Sequence, residues 1–109
     1  MTKEEFIEIL KKLNIPINEG IQNDKSTGIY PRIVMFEIAW EDISASDDVY
    51  NTNVTYQISF FSNISRNPKL IELKHILNEN GIRPFINHEY IEDEKYFHSF
   101  FSVDLLEEL

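Results

Sequence analysis

The chain has 109 residues, with ten Lys and Arg against nineteen Asp and Glu, and carries a formal net charge of −9. This charge argues against a protein that grips a nucleic-acid backbone, because that affinity comes from Lys and Arg displacing condensed counterions. The absence of Cys excludes disulfides and thiolate-bound zinc or iron–sulfur sites.

The composition predicts a single packed domain spanning residues 1–109. Hydrophobic residues make up 42% of the chain and aromatic residues 13%, with only three Gly, which is not the composition of a disordered tail. A chain of this length buries roughly two-thirds of the surface that its unfolded form exposes. The N-terminus lacks a signal-peptide pattern and no run of eighteen apolar residues occurs, so we expect neither export by its own signal nor a membrane span.

The first element is a predicted helix that starts with a capping box formed by Thr2 and Glu5. Its apolar face is made of Phe6, Ile7, Leu10 and Leu13. Asn14 and Pro16 are expected to end it. Residues 15–17 predict a short strand, and residues 18–30, rich in Gly, Asn, Asp and Ser, predict a loop.

A long hairpin is predicted next, because apolar residues recur with period two from Ile33 onward. The core-facing set is expected to be Val34, Phe36, Ile38 and Trp40 in the first strand and Val54, Tyr56, Ile58 and Phe60 in the second. The acidic residues 41–48 are expected to link the strands. A hairpin needs only a few linking residues, so we interpret this segment as an arm that reaches another subunit.

A second helix and a closing hairpin complete the domain. Asn67 and Pro68 form a helix-start signal, and Gly81 is a natural stop. Residues 85–91 and 95–105 are expected to pair around a three-residue turn at residues 92–94. The predicted fold class is α+β, an antiparallel sheet of about four to five strands with two helices packed on one face.

Four apolar residues are expected on the sheet face opposite the helices, namely Ile33, Met35, Phe61 and Phe100. A contiguous exposed apolar patch usually marks a partner surface. Two alternatives are that the loop of residues 18–30 shields the patch, or that the strand phase is off by one residue, which would exchange the two faces.

Catalysis finds little support in the sequence. The chain has no Gly-x-Ser-x-Gly elbow, Walker loop, Rossmann glycine pattern or His-Glu-x-x-His motif, so we predict neither an enzyme nor a cofactor. A three-residue turn would set His88 opposite His98, but a metal would need a third ligand and only Glu89 is near. Two surface histidines without a ligand role are the preferred interpretation. Asp42, Asp47 and Asp48 lack the spacing and glycine of a calcium loop.

Several segments together resemble the tail-completion, or tail-terminator, proteins of long-tailed bacteriophages and prophages. They are residues 4–10 (EEFIEIL), 31–34 (PRIV), 46–50 (SDDVY), 56–61 (YQISFF), 77–82 (LNENGI) and 90–96 (YIEDEKY). The segment at 46–50 is similar to the family's Ala-Asp-Asn-x-x-Tyr, although Ser46 and Asp48 replace the family's Ala and Asn. The loop of residues 18–28 has no counterpart in the family.

The resemblance implies a ring, commonly of six subunits, at the head-proximal end of the tail tube. Such a ring halts tube growth and joins the tail to the head connector, without chemistry, and it is part of the virion after assembly in the host cytoplasm. The implied partners are other copies of the chain, the tail-tube protein and the connector protein, with DNA passing through but not held.

Two residue sets are expected to serve that role. The first set is the subunit or partner interface. It combines the four residues expected opposite the helices with Asp47, Asp48, Val49 and Tyr50. A ring needs two different patches on each subunit, since a closing head-to-tail contact is heterologous. An acidic lumen would repel DNA phosphates, and its candidate residues are Asp42, Glu92, Asp93 and Glu94.

The charge of −9 also suggests an alternative function. A small acidic domain can mimic nucleic acid and inhibit a protein that binds it. Mimicry requires carboxylates spaced like phosphates along one surface, and here the acidic segments are interrupted by strands rich in Phe and Ile.

Overall fold

A computed structural model describes residues 1–20, 28–44 and 50–109. The order of elements is α1 (Lys3–Lys11), β1 (Ile17–Glu19), β2 (Arg32–Ser44), β3 (Tyr50–Ser62), α2 (Pro68–Glu79), β4 (Asn87–Ile91) and β5 (Tyr96–Glu107). The strands form one sheet in the order β1-β2-β3-β5-β4. All neighbours are antiparallel except β1, which pairs with β2 in parallel. The predicted α+β class with about four to five strands and two helices is confirmed.

Both helices begin at the predicted signals, and α2 ends just before the predicted stop at Gly81, whereas α1 ends at Lys11, before the predicted stop at Asn14. At the start of α1, the Thr2 hydroxyl accepts a hydrogen bond from the Glu5 backbone N–H at 3.1 Å. At the start of α2, the Asn67 side chain accepts one from the Lys69 backbone N–H at 2.9 Å, and Pro68 occupies the first turn. Gly81, with a φ of 77°, lies just after α2 in the left-handed region that glycine adopts at low cost.

Loss of the Asn67 cap is expected to destabilise the protein. Asn67→Ala removes the acceptor for the Lys69 N–H and also the Asn67 donor that reaches the Ser62 hydroxyl at 2.9 Å. We expect the free energy of unfolding to fall by about 1–2 kcal/mol in a urea titration. Asn67→Asp keeps the capping oxygen and should lose less, whereas equal losses in both variants would assign the effect to the Ser62 bond.

The core lies between the two helices and one face of the sheet. The helices and the turn after α1 contribute apolar side chains that are fully or almost fully buried, Phe6, Ile9, Leu10, Leu13, Leu70, Leu73 and Leu77. The sheet contributes Ile33, Met35, Val54, Tyr56, Ile58, Phe60, Phe101, Val103 and Leu105. Two helices packed on one sheet face therefore place most of the apolar surface in a single layer.

The faces of β2 differ from the prediction. Ile33 pairs with Phe60 and Met35 with Ile58, and Ile33 and Met35 are 0% and 1% exposed in the core. Their predicted position opposite the helices is wrong. The register shifts between Glu37 and Ala39, so the alternation before this bulge is opposite to the alternation after it. A single period read across residues 33–40 therefore assigns the first half of β2 to the wrong face.

The hairpin is longer than predicted. β2 continues to Ser44 and β3 starts at Tyr50, so residues 41–44 of the predicted linker are strand. The molecule measures 51 Å along its longest axis against 30 and 21 Å along the others. Its radius of gyration of 15.0 Å exceeds the roughly 13 Å of a compact domain of this length. The domain is therefore elongated.

The closing hairpin has a different register from the predicted one. Ile91 pairs with Tyr96, so the turn has the four residues 92–95, and Lys95 adopts a φ of 57°. As a result His88 pairs with Ser99 and His98 with Glu89. The expectation that the two histidines face each other is wrong, because the one-residue change puts them on opposite sides of the sheet.

Candidate functional site

The face of the sheet opposite the helices, here called the reverse face, carries a stack of rings. Phe61 and Phe100 lie there, as predicted, with the His98 imidazole between them. Each phenyl centroid is 4.8 Å from the imidazole centroid, and the ring planes differ by only 10° and 23°. Both faces of the imidazole are therefore covered by phenyl rings.

Polar contacts fix the stack at both sides of His98. Its Nδ1 lies 2.8 Å from Glu89 Oε1 and its Nε2 lies 2.8 Å from Ser59 Oγ. The Arg32 guanidinium lies 4.3 Å from the Phe61 ring centroid, within cation–π distance. One row of paired residues crosses four strands on the reverse face, and its members are Arg32, Phe61, His98 and Glu89.

His88 lies on the helix side of the sheet. Its Nδ1 is 2.7 Å from Ser99 Oγ. In the described ranges, no group of three or more His, Asp or Glu side chains is arranged to hold a metal ion. Neither described helix has the length and apolar character that a bilayer span requires.

The free end of the long hairpin, residues 38–44 and 50–53, is here called the arm. It exposes three large apolar side chains, Ile38 at 51%, Trp40 at 64% and Ile43 at 46%. The Trp40 indole N–H donates to Glu37 Oε2 at 2.9 Å, and the Thr52 hydroxyl donates to Asp42 Oδ1 at 3.2 Å. Exposed apolar groups next to carboxylates are typical of a surface that binds a partner.

Four residues predicted for the partner interface fall, in sequence, at the start of β3 or just before it. Asp47, Asp48 and Val49 lie outside the described residues, and Tyr50 is the first residue of β3, paired with Ser44. Between positions 33 and 65 the sequence has no Lys, Arg or His. The charged side chains in this stretch are Glu37, Glu41, Asp42, Asp47 and Asp48.

The base of the arm is held by a buried phenol. The Tyr56 hydroxyl donates to Glu107 Oε2 at 2.5 Å, and burial of the ring together with this carboxylate raises the pKa of Tyr56 well above its usual range. Beside it, Lys3 Nζ lies 2.9 Å from Glu19 Oε1, and the hydrogen bond to Glu19 raises the pKa of Lys3. The contacts of Tyr56 tie β3 to the last residue of β5.

A groove of about 760 Å³ lies at the other end of the sheet, between α2, the loop before it and strands β4 and β5. Apolar side chains including Leu70, Ile86 and Phe97 line it, as do the cationic side chains of Arg66 and Lys74. Glu89 also borders the groove, but its carboxylate contacts His98 on the reverse face. No local sequence pattern predicts this groove, since its lining comes from separate segments that meet only in the folded chain.

The four residues predicted for an acidic lumen are not brought together within one subunit. Glu92, Asp93 and Glu94 are exposed in the β4–β5 turn, near the groove end of the sheet. Asp42 is exposed on the arm at the opposite end. The arm, the groove and the reverse face are thus three spatially distinct surfaces.

Neither a protein-family model nor a curated protein matches the chain.

Proposed function

We propose that this chain is a structural virion protein, a tail terminator. In this proposal, copies of the chain form a ring, most simply of six subunits, at the head-proximal end of a phage tail tube. The ring ends tube growth and joins the tail to the head connector. Its partners are the tail-tube and connector proteins, and it has no catalytic role and no cofactor.

The observation that carries this proposal is the arm. Ile38, Trp40 and Ile43 are about half exposed or more at the end of a domain 51 Å long. The helices already cover one sheet face with a complete core, so these side chains are left over after the domain has folded. Burying them against another molecule would be favourable by roughly 25 cal/mol per Å² of apolar surface.

The remaining surfaces are consistent with a ring around DNA. The net charge of −9 repels phosphates, so DNA would pass without sticking. The half-buried Phe61 and Phe100 give the reverse face a second apolar contribution. Ile33 and Met35 have no part in the proposed interface, because they are core residues.

The test is to combine the purified protein with polymerising tail-tube protein from the phage or prophage that encodes it. We expect tubes that stop growing and carry one cap at a single end in electron micrographs, and a multimeric mass for the cap protein. Trp40→Ala should reduce capping while leaving the monomer folded, since Trp40 is exposed. Ile29→Ala removes a half-exposed apolar side chain outside the arm and should cap normally.

A protein that stays monomeric with tube protein present, and leaves tube length unchanged, would contradict the proposal. The absence of any cation between positions 33 and 65 favours one second candidate, an acidic inhibitor of a nucleic-acid-binding protein. Retention of a basic nuclease or polymerase, in place of tail proteins, would support that candidate.

A further inference from the structure

The groove and the arm lie at opposite ends of the same sheet. Ser62 pairs with Phe97 at the groove end of β3, and Thr52 pairs with Glu107 at the arm end. Thr52 and Ser62 are ten residue steps apart along β3, which corresponds to about 33 Å at the rise of a β-strand. The arm of one copy therefore cannot reach the groove of the same copy.

The groove presents cations above an apolar floor. Arg66 and Lys74 border it, and in the part of the chain that the structure describes neither forms an ion pair with a carboxylate. The His88 imidazole also lines the groove. The one acidic side chain at the border, Glu89, contacts His98 on the far side of the sheet. In a chain with a net charge of −9, two cations beside an apolar floor suit an acidic and apolar segment.

The arm has the complementary chemistry. Trp40 pairs with Val54 and Asp42 with Thr52, so an exposed indole and a carboxylate are neighbours on one face of the arm. Glu41 follows Trp40 directly on the other face, and no Lys, Arg or His occurs between positions 33 and 65. The arm and the groove are also present once in every copy of the chain, so each arm has one groove available in the assembly.

We infer that the groove of one copy binds the arm of the next copy, with Trp40 against the apolar floor and Asp42 close to Arg66 and Lys74. This inference rests on the proposed ring and specifies its joint. The contact is heterologous, joining different surfaces of two identical subunits, and a heterologous contact with a closing rotation generates a ring. Burial of the indole supplies most of the affinity, whereas the charges fix the orientation and exclude wrong partners.

The test reverses the charge of each surface separately. We expect Arg66→Glu/Lys74→Glu to dissociate the ring into monomers, measured as mass by light scattering, and Glu41→Lys/Asp42→Lys to do the same. Mixing the two variants should restore assembly. The acidic arm of the groove variant then meets the cationic groove of the arm variant, and the basic arm of the arm variant meets the acidic groove of the groove variant. The restored rings must contain an even number of subunits, which native mass spectrometry measures.

Lys11→Glu/Lys12→Glu is the control for the groove variant. It makes the same change in net charge as Arg66→Glu/Lys74→Glu, but on exposed residues of α1 and its C-cap. It should assemble normally. Circular dichroism checks that each variant is folded, and Arg66→Gln/Lys74→Gln, which weakens assembly less in the same direction, replaces a charge-reversal variant that does not fold.

Two results would overturn the inference, and they differ in what else they affect. If the groove variant assembles as well as the wild-type chain, the arm–groove joint is wrong while the proposed ring stands. If the wild-type chain forms no assembly with or without tail-tube protein, the proposed function and the joint are both wrong.

Discussion

Replacing Ile33 with alanine is expected to lower the free energy of unfolding by about 2–5 kcal/mol, the usual cost of removing a large aliphatic side chain from a packed core. Ile33 is fully buried and pairs with Phe60 on the face that the helices cover. The loss combines the transfer free energy of the deleted carbons with the cavity that they leave. A urea titration of the folded protein measures it.

Ile38→Ala is the matched control for this prediction. The chemical change is identical, but Ile38 is 51% exposed on the arm beside the bulge, so its effect on unfolding should stay within about 0.5 kcal/mol. Equal and small effects at both positions, with assembly lost in the Ile33 variant, would return Ile33 to the exposed face that the sequence pattern predicted.

Stability is expected to fall steeply as the pH rises above about 10, the ordinary pKa of a tyrosine. The folded state raises the pKa of Tyr56 through burial and the Glu107 carboxylate. Above pH 10 the unfolded chain has lost the Tyr56 proton while the folded chain retains it, so the unfolded state binds fewer protons. The free energy of unfolding then decreases with pH, by up to about 1.4 kcal/mol per pH unit for this one group.

Tyr56→Phe should make this alkaline slope shallower, as measured by urea titrations at several pH values between 9 and 11.5. The variant also loses the hydrogen bond to Glu107, so its stability at neutral pH should fall by roughly 1 kcal/mol. The slope is therefore the quantity to compare. Tyr90→Phe, which changes a half-exposed tyrosine, should retain the wild-type slope, and an unchanged slope in the Tyr56 variant would contradict the assignment.

Helix ends and fold class were predictable from the sequence because their signals are local. The capping box at Thr2, the Asn67 cap before Pro68 and the stop at Gly81 each involve residues within a few positions of one another. The alternation in β3 was also read with the correct phase, since Val54, Tyr56, Ile58 and Phe60 all lie in the core. These elements suffice for an α+β domain with helices on one sheet face.

Strand phase and register were not predictable in the same way. A bulge between Glu37 and Ala39 and a four-residue turn at residues 92–95 each shift the pattern by one residue. One residue is enough to move Ile33 from an expected interface into the core and to separate His88 from His98. Whether such a shift occurs depends on the partner strand, which local sequence does not identify.

The sequence by itself determined the two helices, the acidic hairpin and a net charge that disfavours binding to nucleic acid. The tertiary structure alone decided which side of the sheet each β2 residue occupies, and it formed the groove from α2, its preceding loop, β4 and β5. The physical reason is the separation along the chain of the residues that set each feature. Caps and periodicity are set by neighbours along the chain, whereas register and concave surfaces depend on side chains that meet only when distant strands pair.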